Sequence, residues 1–88
     1  MINLGLSKPQ GFDEAEKITA PTIMPELPEL HVLICVYDLF SFGQKKYVIC
    51  LDDDDIKMMS SIYSSNIIDW YIFKWPTPLP EYLTKKVS

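Results

Sequence analysis

Arginine is absent from this 88-residue chain; all eight of its basic residues are lysine. Recognition of phosphates and base edges leans on the planar guanidinium fork. With 12 acidic side chains and a net charge of −4, the chain is not expected to bind nucleic acid directly. Glycine is scarce as well: the chain has three, and none sits in a phosphate-cradling loop. Histidine occurs once and cysteine twice, without metal-ligand spacing. These scarcities point away from an enzyme and away from any metal or cofactor. No stretch approaches the ~20 apolar residues of a membrane span. Residues 1–20 lack the basic segment and apolar run of a secretory signal. The expected setting is the cytoplasm of a host cell, or a virion assembled there.

Proline is unevenly spread. Residues 1–29 carry Pro9, Pro21, Pro25 and Pro28, ending in the near-repeat Pro25-Glu26-Leu27-Pro28-Glu29-Leu30, while residues 30–75 have none. Proline fixes φ and removes a backbone donor, so residues 1–29 read as an extended arm, with one short helical turn near Phe12–Ala20. Pro76, Pro78 and Pro80 break regular structure again, making residues 76–88 a proline-rich tail. The compact domain is expected between them, at residues 30–75. That block is more than half apolar and holds most of the aromatics.

Within the block the fold class is α+β in the order ββαβ: an antiparallel hairpin, one helix and a third strand. Leu30–Phe42 is apolar at both odd and even positions, so this strand is expected to be covered on both faces. The Gly43-Gln44-Lys45 turn returns the chain into Lys46–Leu51. Asp52-Asp53-Asp54-Asp55 caps a helix running to Asn66, with Ile56, Met59, Ile62 and Tyr63 at helical spacing. Ile67–Trp75 is aromatic and β-branched, as strands prefer. One helix covers one face of such a sheet. The other face must be covered by the arm or by a partner.

The conspicuous residues divide between sharp and plain readings. The aspartate run fails the calcium-loop pattern, because Ile56, Lys57 and Tyr63 stand where ligands five, glycine six and glutamate twelve would be. A solvated helix N-terminus is the plainer reading. Cys35 and Cys50 fall as diagonal neighbours on one sheet face, too far apart to bridge, and read as buried free thiols. His31 has an acid nearby at Glu29 but no nucleophile, so it reads as a surface or pairing residue. Trp70, Phe73 and Trp75 are divided between core and interface, since Trp is enriched at interface hot spots.

The order of hairpin, helix and aromatic strand is similar to that of small outer-capsid decoration proteins of tailed phages. No residue role is carried over from that likeness. A 46-residue block lies near the lower limit for independent folding, and ordering the arm costs on the order of 1–2 kcal/mol per residue. The expected function is therefore a structural, non-enzymatic accessory subunit of a large assembly or homo-oligomer: a viral particle component such as a capsid decoration or tail accessory protein. It would dock through Pro25, Leu27, Pro28, Trp70, Phe73 and Trp75. The alternative is a small acidic inhibitor or immunity-type protein that engages its target through Asp52, Asp53, Asp54 and Asp55.

Overall fold

A computed structural model of the chain describes residues 1–38 and 43–78. The described residues form one α-helix and a five-stranded, fully antiparallel sheet, an α+β fold. The strands are β1 (Ile2–Gly5), β2 (Glu16–Ile18), β3 (His31–Tyr37), β4 (Lys46–Cys50) and β5 (Ile67–Lys74); the helix α1 is Asp53–Ile62. Their spatial order is β1-β4-β3-β5-β2.

The expected ββαβ block forms the centre of this sheet. β3 lies between β4 and β5, and α1 joins the two flanking strands, which run in the same direction. β3 occupies the centre because its sequence can be buried on both sides. Leu33, Cys35 and Tyr37 face α1 and join Val48, Cys50, Ile56, Met59 and Trp70 in one core. Val32, Ile34 and Val36 face the other way and join Phe12, Tyr47, Ile49 and Phe73 in a second.

Residues 1–29 depart from the expected extended arm. They supply both edges of the sheet, β1 against β4 and β2 against β5. Between the two strands, Gly11 takes φ 80° and starts a single 3-10 turn, Phe12–Glu14. A side chain there would be strained, so glycine lets the chain turn and drive Phe12 onto the sheet. The Phe12 ring is buried edge-on to Tyr47, Tyr71 and Phe73, with centroids 5.3, 4.9 and 5.6 Å away. The face that one helix could not cover is thus covered by the chain's own N-terminal segment. The proline-rich stretch that follows has no regular structure, and its Met24 packs against the helix-side core. It ends at Leu30, which holds φ 65°, an uncommon and strained value for a branched side chain.

Element bounds shift for local reasons. β3 stops at Tyr37, where the Gly43 N–H donates to Asp38 Oδ2 at 2.9 Å across the hairpin end. The register pairs Tyr37 with Lys46 and Leu33 with Cys50. This is a slip of four residues from the pairing expected of a tight hairpin that sets Phe42 opposite Lys45. An even slip leaves every side chain on its expected face. The proposed strand residues 39–42 and the tail from 79 onward lie outside the described residues. The helix ends at Ile62, short of Asn66. Asn66 instead clasps the hairpin end: its Nδ2 donates to the Asp38 carbonyl at 3.1 Å, and the Asp38 N–H donates to the Asn66 carbonyl at 2.9 Å.

Candidate functional site

The four aspartates are mostly structural. Asp52 is the N-cap of α1, and its Oδ1 accepts from the Asp55 N–H at 3.0 Å. This is the cap that a short acidic side chain before a helix provides. Asp53 Oδ1 accepts from the Met24 N–H at 2.7 Å, which pins the proline-rich segment to the start of the helix. Asp55 is buried at 7 % exposure. Its Oδ2 accepts from the Leu51 N–H at 2.7 Å and lies 3.2 Å from the Met1 ammonium. Among the described residues, no group of three or more His, Cys, Asp or Glu is placed to hold a metal ion. None of the described helices is long and apolar enough to cross a membrane.

The aromatic residues expected at an interface separate into different environments. Trp70 is 2 % exposed in the helix-side core, and Phe73 is buried beside Phe12. Both side chains are packed inside the fold, Trp70 in the helix-side core and Phe73 in the core on the Phe12 side. Trp75 is half-buried, edge-on to Phe73 at 5.9 Å. Pro25 and Leu27 are half-buried and Pro28 is exposed.

Cys35 and Cys50 are free, buried and diagonal on the helix-side face. Burial pushes both thiols up from the ordinary 9.0 to about 12. A thiolate nucleophile needs the opposite shift. The native protein is expected to resist iodoacetamide at neutral pH and to react at both thiols once unfolded. Rapid labelling of the folded chain would count against this packing. Because the folded thiols hold their protons more tightly, their contribution to stability is present below pH 9 and is lost as the pH rises from 9 to 12. His31 is half-buried, and its Nδ1 lies 2.9 Å from the Glu29 carbonyl oxygen, a backbone anchor at the start of β3.

Two surface features were not anticipated. The first is apolar: Met58 (40 % exposed) and Ile62 (65 %) stand one turn apart on the outer side of α1. Ile62 recurs at helical spacing with the buried Ile56 and Met59, but the helix turns it outward. The second is a solvent-open groove of about 280 Å³ on the Phe12 side of the sheet. Its walls come from the Lys8–Ala15 segment, the start of β4 and the start of β5, where Ile68 is the extra residue of a β-bulge opposite Val36 and Tyr37. Lys8 Nζ bonds Asp13 Oδ1 at 2.6 Å at the rim, and this bond holds Lys8 above and Asp13 below its ordinary pKa. No sequence signal marked the groove, because its Lys8–Ala15 wall reaches the central strands only through the pairing of β1 with β4 and β2 with β5. Comparison with known protein families, curated proteins and solved structures gives no match.

Proposed function

We propose that this chain is a non-enzymatic interaction protein, a small accessory subunit of a larger protein assembly. The observation that supports this reading is the apolar pair Met58 and Ile62 on the outer side of α1. Scattered exposed apolar residues are ordinary. Two large ones at i and i+4 lie on one helix face. Since the arm and the second sheet face are packed on each other, docking moves to this pair and to the Pro25–Pro28 segment. The narrower form of the proposal is a virus-particle component, capsid decoration or tail accessory; its support is the order of hairpin, helix and aromatic strand.

An inhibitor acting through Asp52–Asp55 is less favoured. Asp52, Asp53 and Asp55 already accept from backbone donors within the fold, so engaging a basic target would compete with the cap of α1.

Photo-reactive residues placed at position 62 and, as control, at exposed Gln44 separate the possibilities. In cells that make the assembly, position 62 is expected to yield one discrete protein adduct, lost in a Met58→Lys variant that keeps its fold. Equal adducts from both positions, or none from 62, would overturn the reading. A homo-oligomer would appear as an adduct of twice the chain mass.

A further inference from the structure

We propose that two copies of this chain dock through one surface: the outer edge of β1 together with the flank of α1 that carries Met58 and Ile62. The inference rests on the assembly reading above and names the partner of that helix face, a second copy.

The fold brings the two features to one side of the molecule. β1 is an outermost strand, and among the described residues no strand pairs with its outer edge. α1 packs closest to β4, the strand beside β1. Asp55, Met58 and Ile62 follow at i, i+3 and i+7, so they lie along one flank of the helix. Asp55 lies 3.2 Å from the Met1 ammonium, which turns that flank towards the start of β1. From there α1 runs back over the sheet, carrying Met58 and Ile62 about 4.5 and 10.5 Å past Asp55, alongside β1. Both are exposed, as is Asn3 on the helix side of β1.

Symmetry and charge select a second copy. Two such edges related by a twofold axis pair antiparallel, each contributing the same residues. Centred on Asn3, the pair sets Ile2 opposite Leu4 of the second copy, apolar against apolar on the Phe12 side. Ile2–Gly5 has no charged side chain, so no like charges meet there. Of the charges on α1, Asp53 holds the Met24 N–H and Asp55 the Met1 ammonium, while Asp54 and Lys57 stand one turn apart with opposite signs. The other sheet edge is guarded, because Glu16 and Lys17 of β2 are charged and exposed. The bulge after Asn3 keeps the β1 pair short, and the helix flank supplies the rest of the contact. The twofold leaves both helices on the same face of one joined sheet, with Met58 and Ile62 of each copy turned towards the other.

Sedimentation equilibrium of the full-length chain is expected to give twice its 10.2 kDa mass, with Kd on the order of 10 μM. Ile62→Lys, at a position 65 % exposed in the single chain, is expected to raise Kd at least about tenfold by burying a charge in an apolar contact. Ile68→Lys, on the strand third from β1, is expected to leave it unchanged. Asn3→Cys should give a disulfide between copies under mild oxidant, because directly opposed positions bring Cβ atoms to about 4.5–5.5 Å; Lys17→Cys on β2 should not. The inference is overturned if the chain is monomeric at about ten times that Kd, if Ile62→Lys leaves the dimer intact, or if Lys17→Cys cross-links as readily as Asn3→Cys. A monomer whose position 62 yields a discrete adduct with another protein would remove the second copy and leave the accessory-subunit reading standing.

Discussion

Replacing Phe12 with alanine is expected to destabilise the protein by about 3–5 kcal/mol, the range for emptying a buried aromatic site. Phe12 is the only large side chain that the 3-10 turn sends into the second core. Its ring touches Tyr47 on one side of β3 and Tyr71 and Phe73 on the other. Small domains have stabilities of roughly 5–15 kcal/mol, so the loss takes a large share of the total. At about 4–8 °C per kcal/mol for a chain of this size, the melting temperature should fall by at least about 12 °C. Thermal melts followed by circular dichroism would measure it. Phe12→Leu should keep most of the stability, because the site asks first for apolar volume. An alanine variant that melts within about 3 °C of the parent, under 1 kcal/mol by the same conversion, would mean that other residues cover this face.

The second large effect is expected at Asp55. Removing one member of a buried ion pair costs about 3–5 kcal/mol. The Met1 side of this pair is partly open, at 28 % exposure against 10 % for Asp55, so about 3 kcal/mol is the better figure once screening is allowed for. Asp55→Ala removes two links at once, the ammonium contact and the acceptor for the Leu51 N–H. Asp55→Asn keeps an acceptor for Leu51 and loses only the charge. The asparagine variant should therefore fall between parent and alanine in urea melts. If the alanine variant is as stable as the parent, the carboxylate contributes nothing and the acidic run is surface charge after all.

The centre of the fold was legible in the sequence because its signals are local. β3 is apolar at every position from Val32 to Tyr37, and that demanded a strand covered on both faces. The aspartates before Ile56 demanded a helix start. Ile67–Trp75 had no other plausible structure than a strand. The edges were illegible because they are imposed from a distance. Ile2-Asn3-Leu4-Gly5 and Glu16-Lys17-Ile18 are too short and too mixed to announce strands. They become strands by pairing with β4 and β5. Trp70 and Phe73 read as interface residues in a block too small to enclose them alone; residues 2–18 add the rest of their enclosure. The groove was hidden for the same reason, since Lys8, Lys45 and Asp69 meet only after the sheet is complete.

The spatial order β1-β4-β3-β5-β2 also has a kinetic consequence. The outermost strands are the first two made, yet Ile2 must find Ile49 and Glu16 must find Ile72. Closing such long loops is slow compared with forming local contacts. During synthesis the β3 flank of the β3–β4 hairpin stays open until β5 has emerged, and only then can residues 16–18 seal the edge of β5. Unpaired flanks recruit strands from other chains. Crowding on the polysome is thus the moment of greatest risk for this protein, and slow translation would lengthen the exposure of the hairpin rather than help it fold.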